Sequence, residues 1–201
     1  MSLNISKNEI EEKIKSQIAL EFNCVPQDFV KSENTITAAY LNPNRRKFSD
    51  KPHHMFAPEP KIIEINTDLR IEWLEQNDIT QFYGNENFPN AICNKFKPER
   101  PDVLAVVAMD GEKIMGMAGC SADTPDLWQI GIDVLPEYRG RGVAKTLVTL
   151  LRNETFRRGA IPYYGTGLSN LASWKTALEC GFKPFWVEAE SQPDEKLEFT
   201  K

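Results

Sequence analysis

The pattern of apolar and polar positions is sharpest between residues 103 and 135. Val103 to Met109 is an almost unbroken apolar run of strand length, Asp110-Gly111 is a hairpin-turn pair, and Lys113 to Ser121 supplies the partner strand. Ala122 to Asp126 reads as a further turn. Gln129 to Leu135 reads as a third strand, with Ile130, Ile132 and Val134 at alternate positions. Pro136, which has no donor for a strand ladder, ends it. The period then changes. Val143, Leu147, Leu150, Leu151 and Thr155/Phe156 are spaced for one face of a helix that runs to Arg158, with Arg157 and Arg158 in its last turn and Gly159 as its C′ residue. Ile161 to Gly165 predicts a strand, Ser169 to Glu179 a helix capped by Ser169 and closed by Gly181, and Phe182 to Ala189 a final strand.

Upstream the pattern is weaker. Ser6 and Glu9 form an S-x-x-E capping box ahead of Ile10, Ile14 and Ile18, which predicts a helix to about Glu21. A short helical turn over Pro26 to Val30 and a strand over Thr35 to Leu41 follow. Arg45 to Pro60 shows no clean period, and its His53-His54 pair reads as loop. Ile62 to Ile65 predicts a short strand. Asn66 or Thr67 then caps a predicted helix with Leu69, Trp73 and Leu74 on its apolar side, with a second short helix from Asp78. Gly84 to Asn90 reads as a loop. Phe82, Tyr83, Phe88 and Phe96 around it are candidates for core packing or for the wall of a pocket. The fold class is therefore α/β (α+β): residues 1–60 an N-terminal α/β extension, 61–190 a core of strands and helices, and 191–201 an acidic tail.

Composition narrows the function. The chain has 201 residues, 41% hydrophobic, which suffices for one substantial core. A net charge of −5 argues against general nucleic-acid binding. No apolar run reaches the roughly 20 residues of a membrane span, and the first residues hold no apolar signal segment; a cytoplasmic protein is expected, with no membrane partner. Cys24, Cys93, Cys120 and Cys180 show no CxxC spacing, so reduced thiols are expected. His53-His54 has no third ligand nearby, and no metal is expected.

Against that acidic background, positive charge gathers at Arg139, Arg141, Lys145, Arg152, Arg157 and Arg158. A strand that feeds a helix through Tyr138-Arg139-Gly140-Arg141-Gly142 collects orphan amide N–H groups at one point, which is an anion site. Gly140 and Gly142 let a ligand approach the backbone. Two phosphate-binding patterns fail: Ala144 stands where Walker A needs a glycine before Lys145-Thr146, and Lys145 stands where the dinucleotide fingerprint needs its third glycine. An exposed basic turn with no ligand is the plainer alternative.

The series Val134, Pro136, Tyr138, Arg139, Gly142 and Ala144 resembles the coenzyme A signature of the GNAT superfamily of N-acetyltransferases, a strand ending V-x-P-x-(Tyr/Phe) followed by R-x-x-G-x-A. The order of elements over roughly Ile62 to Ala189 is similar to that family's, which implies a GNAT-like mixed central sheet flanked by helices for residues 61–190. The resemblance implies acetyl-CoA as cosubstrate and an amine acceptor, small molecule or peptide. It implies cofactor contacts from Ile132, Asp133, Val134, Arg139, Gly140, Arg141, Gly142, Val143, Ala144 and Lys145. Asn170 and Ser173, in N-x-A-S, correspond to residues that lie along the pantetheine arm, although both are also ordinary helix-start residues. Whether the chain forms a homodimer stays open.

Chemistry on this pattern needs a base for the amine, a donor for the developing oxyanion and a proton for the departing thiolate. The expected donor is a backbone N–H of the strand Gln129 to Val134, with Gly131 marking a bulge that opens strand pairing. Asp133 and Asp123 are the nearest acidic candidates for the base, although a structural carboxylate fits Asp133 equally, and Ser173 is a further catalytic candidate. Many family members carry a proton-donating tyrosine seven residues after the asparagine; here that residue is Ala177. Tyr163, Tyr164, Ser173 or water are the substitutes. An acyl-cysteine route through Cys120 or Cys180 has no base beside it. The departure at Ala177 keeps an alternative open: a non-catalytic acyl-CoA-binding or sensing module.

Overall fold

The strongest apolar run becomes a strand that is covered on both faces. In β6 (Asp102–Asp110), Leu104, Val106 and Ala108 pack beneath a long helix, α3 (Val143–Arg157), while Ala105 and Val107 pack on the other face against Ile79, Phe88 and Ile92. Both faces are covered, so the run carries no alternating polar positions.

The computed structural model describes residues 5–21, 30–32, 35–37, 47–48, 53–188 and 191–192. In chain order the remaining elements are α1 (Lys7–Glu21), β1 (Val30–Ser32), β2 (Thr35–Thr37), β3 (Lys47–Phe48), β4 (His53–Pro58), β5 (Arg70–Glu75), α2 (Gln76–Ile79), β7 (Lys113–Ala122), β8 (Leu127–Val134), β9 (Ile161–Gly167), α4 (Leu171–Glu179), β10 (Phe182–Glu188) and β11 (Ser191–Gln192). Seven strands form one sheet in the order β10-β4-β9-β8-β7-β6-β5, antiparallel except between β8 and β9. β1 pairs with β2, and β3 with β11, as separate two-stranded ladders.

The meander β6-β7-β8 and the order α3-β9-α4-β10 follow the sequence pattern. Ser6 N donates to Glu9 Oε2 at 2.7 Å and Glu9 N to Ser6 Oγ at 3.2 Å, the reciprocal capping box. Gly159, at φ 83°, ends α3. Its N–H bonds to Phe156 O, and the Ala160 N–H to Thr155 O, which together make a Schellman motif.

Several expectations fail upstream. His53-His54 is not loop: it opens β4, whose register runs against both β9 and β10. Phe56 enters the main core on one face, and Met55 and Ala57 pack with Ile10, Ile14 and Phe185 on the other. β4 lies within residues 1–60, so a boundary at residue 60 falls just past an interior strand. Ile62 to Ile65 forms no strand, because α3 side chains take its backbone groups. Asn153 Oδ1 accepts from Ile63 N at 3.1 Å, and Asn153 Nδ2 donates to Ile63 O at 2.7 Å. The helix expected after Asn66 or Thr67 is β5. Leu69, Ile71 and Trp73 carry a period of two as well as Leu69, Trp73 and Leu74 a helical one, and the open edge of β6 decides in favour of the strand.

Arg152 is not part of a surface cluster. It is fully buried, donates Nη1 to Lys61 O at 2.8 Å and Nη2 to Glu59 O, and lies over the rings of Phe156 and Phe182. Burial lowers its pKa to about 10. Positions 26–29 of the expected helical turn and 38–41 of the expected strand lie outside the described residues, as does Cys24; Val30 begins a strand and does not close a helical turn. Of the 191–201 tail, Ser191–Gln192 is described, as β11.

Candidate functional site

β8 and β9 are hydrogen-bonded only from Leu127–Ile130 to Ile161–Tyr164. Beyond that point each strand stays anchored on its outer side, β8 to β7 through Val134 and β9 to β4 through Gly167. Their inner edges part and form a slot in the sheet, where the backbones of the two strands no longer pair with each other. Two clefts meet there. One, of about 400 Å³, is lined by Ile132, Asp133, Val134, Arg139, Ala144, Tyr164, Asn170 and Ser173 among others; the second, of about 390 Å³, lies against the 89–102 segment. His53, Asn90, Ile130, Gly131 and Gly165 border both.

The first cleft brings together most of the residues the sequence assigned to a cofactor. Gly140, Arg141, Gly142 and Lys145 are on the adjoining turn and first helical turn, while the Val143 side chain is 1% exposed and belongs to the core. Val143 can therefore contribute only its backbone. Gly140 and Gly142 have φ of 74° and 80°, and nothing lies within 4 Å of where a Cβ would sit on either. The glycines are needed for backbone conformation, and the space beside them is open. Gly142 is the N-cap of α3, so the first amides of the helix face this space without intrahelical partners. Arg139 Nε donates to Val134 O at 3.1 Å, and Arg141 lies 5.5 Å from the ring centre of Tyr138, whose hydroxyl donates to Asp110. Arg157 and Arg158 are at the other end of a 15-residue helix, about 22 Å away, where Arg158 pairs with Glu75 and Glu154.

The cap of α4 is Asn170, not Ser169: Asn170 Oδ1 accepts from Ser173 N at 3.2 Å. Ser173 Oγ is 2.7 Å from Tyr164 Oη. Burial pushes the Tyr164 phenol up to about 12, with the Ser173 hydrogen bond opposing, so Tyr164 is a neutral hydroxyl in the cleft at physiological pH. Tyr163, its neighbour along β9, turns to the other face and packs on Trp186. Ala177 is fully buried in the main core. The alternation of β9 thus ranks two tyrosines that the sequence left equal.

Asp133 has another task. Its carboxylate accepts from Asn90 N at 2.7 Å, Asn90 Nδ2 at 2.6 Å and Ala91 N at 2.8 Å, which ties the 89–92 loop to β8. Both oxygens are engaged, so the structural alternative for this carboxylate prevails over the base. Gly131 marks no bulge, since β7 and β8 keep register through it. A Cβ on Gly131 would fall 1.7 Å from Asn90 O, so the glycine is there to let the loop lie on the strand. Phe88 packs in the core beneath this loop and Phe96 is 47% exposed, so neither walls the clefts. The thiols of Cys120 and Cys180 are buried; burial raises Cys120 to about 12 and Cys180 in the same direction. Neither is an activated nucleophile. Among the described residues no group of three or more metal-ligating side chains gathers, and no helix is long and apolar enough to cross a membrane.

Sequence reasoning missed His53. This residue borders both clefts because β4 begins at the slot, opposite Gly167 of β9, and a segment without period gave no sign of that placement.

Solved structures share this architecture. A GNAT-family protein from Novosphingobium aromaticivorans superposes with a TM-score of 0.58 at 19% identity, covering 75% of this chain and 67% of that one. A GCN5-related N-acetyltransferase-like protein from Streptococcus suis gives 0.55 at 16%, covering 73% and 62%. A GCN5-related N-acetyltransferase from Kribbella flavida gives 0.53 at 14%, covering 75% and 62%. The chain thus spans between 62% and 67% of the length of these three. No curated protein matches the sequence. The model of the acetyltransferase (GNAT) family matches residues 65–182, more than half of the chain; together with the fold, that match places the protein in the GNAT acetyltransferase family.

Proposed function

We propose that the protein is an acetyl-CoA-dependent N-acetyltransferase that delivers acetyl directly to a primary amine. The observation that carries this reading is the slot between β8 and β9, reached from both sides, with one cleft running to the N-terminus of α3. Helix amides and open glycine backbone suit a diphosphate, and the unpartnered edge of β8 suits an amide-bearing pantetheine arm. When bound, acetyl-CoA supplies an acetyl group on a thioester, and the carbon–sulfur bond is exchanged for a carbon–nitrogen bond to the amine.

The chain's own residues then have three tasks. Tyr164 holds a proton at Oη within the cleft, oriented by Ser173, and gives it to the departing sulfur. His53, at the junction of the two clefts, takes the proton that the amine loses. The backbone N–H groups of β8 facing the slot stabilise charge on the acetyl oxygen. The assay is direct: thermal stabilisation by coenzyme A, and thiol release from acetyl-CoA across a broad amine panel. Stabilisation without turnover on any amine would return the alternative of an acyl-CoA-binding module; no stabilisation at all would overturn cofactor binding as well.

A further inference from the structure

The cleft beside the 89–102 segment carries charge that acetyl transfer by itself does not require. Lys97 and Arg100 line it, with Asn94, Ser121 and Gln129. Lys97 is half-buried and, among the described residues, forms no ion pair. Arg100 donates through Nε to Asp123. The single acidic side chain in this lining, Asp102, is 1% exposed and has one oxygen on the Cys93 amide at 3.0 Å. An ammonium that lines a cleft with no ion pair of its own is available to an anionic group on a ligand, a charge-assisted contact of the stronger kind. A polycationic amine would meet two like charges here and one carboxylate turned inward. At about 390 Å³ the cleft has the size of a small-molecule site.

Resting on the transferase reading above, we propose that the acceptor is a small primary amine that also carries an anionic group, of the amino-acid kind. The anionic group accepts from Lys97 and Arg100 while the amine reaches the slot at His53 and Gly131.

The test compares kcat/KM, per unprotonated amine, within matched pairs: leucine against isopentylamine, phenylalanine against phenethylamine, and O-phosphoethanolamine against ethanolamine, with spermidine as a polycation. One charge-assisted contact predicts at least about a tenfold preference for the acid-bearing member. The amino-acid and phosphoethanolamine pairs separate a carboxylate from a phosphate. Lys97→Met reduces that preference about tenfold, and Lys97→Arg restores most of it. Calorimetric titration with each member of a pair gives the same order without turnover. Preference for the decarboxylated members or for spermidine overturns the inference and leaves the acetyltransferase reading standing, as does a Lys97→Met variant that lowers both members of a pair equally. No turnover on any member while coenzyme A still binds overturns the inference together with catalysis. Loss of coenzyme A binding itself falsifies the parent reading instead.

Discussion

Gly131→Ala is the smallest change that separates the two clefts by experiment. The added methyl carbon would sit 1.7 Å from Asn90 O and 2.7 Å from Asn90 C, both backbone atoms that no rotamer change can move. The 89–92 loop has to retreat, which draws the Asn90 and Ala91 amides from the Asp133 carboxylate at 2.7 and 2.8 Å. Overpacking of this kind costs about 1–3 kcal/mol, and each hydrogen bond to a charged group contributes roughly 1.5–3 kcal/mol. With partial relaxation the sum is about 2–4 kcal/mol, a fall in Tm of about 5–15 °C for a chain of this size. Gly167→Ala is the control, because it has open space and no positive φ; it should stay within about 0.5 kcal/mol. Urea denaturation gives the stability difference, and thiol release with calorimetry gives KM for the amine apart from affinity for acetyl-CoA. The amine KM should rise more than the acetyl-CoA Kd, since the displaced loop walls the amine side. A Gly131→Ala protein as stable as the control, with unaltered kinetics, would refute the placement of the loop on β8.

Tyr164→Phe should lower kcat about 10²–10⁴-fold with little change in acetyl-CoA affinity. Because burial holds the phenol near 12, its ionisation should produce no alkaline fall in kcat below about pH 11, read from a pH–rate profile. Gly142→Asp puts a side chain and a negative charge where φ is 80° beside the first amides of α3, and calorimetry should find acetyl-CoA binding lost; equal affinity would sink the anion site. Glu59 is held down to about 2 from its ordinary 4.5, first by a hydrogen bond from Lys183 and then from Lys61. Its folded pKa is depressed, so its contribution is present above pH 4.5 and lost as pH falls toward 2. With the side chain 28% exposed that is no more than about 1 kcal/mol. Denaturation of Glu59→Gln should therefore differ from the unmodified protein at pH 7 and converge with it near pH 2.

The parts that sequence conveyed are those where local chemistry decides the outcome. The hairpin at Asp110-Gly111, the glycines of the basic turn and the Ser6/Glu9 cap each fix a backbone shape by their own atoms. Where a neighbour decides, the chain alone was silent or misleading. β5 is a strand because β6 offers an edge, Ile62 to Ile65 is not one because Asn153 reaches it first, and Arg152 goes inward because two carbonyls of the 59–61 segment await it. In the site the same division holds. Arg139, Ala144 and Asn170 were named from the resemblance to the GNAT signature, and they line one cleft. Asp133 was named without its true partner, the Asn90–Ala91 backbone, and His53 arrives through pairing with a strand more than a hundred positions later.

That pairing bears on how the chain matures. β4 leaves the ribosome long before β9 and β10, the strands that flank it, so it must wait unzipped while almost all of the remainder is translated. Until β9 emerges β8 keeps a bare edge, and Phe56 lacks the aromatic neighbours Tyr164 and Trp174. Closure of so wide a loop is slow, and shortening the protein to the span from 65 to 182 would remove β4 and leave the outer edge of β9 permanently bare, with clumping as the expected fate.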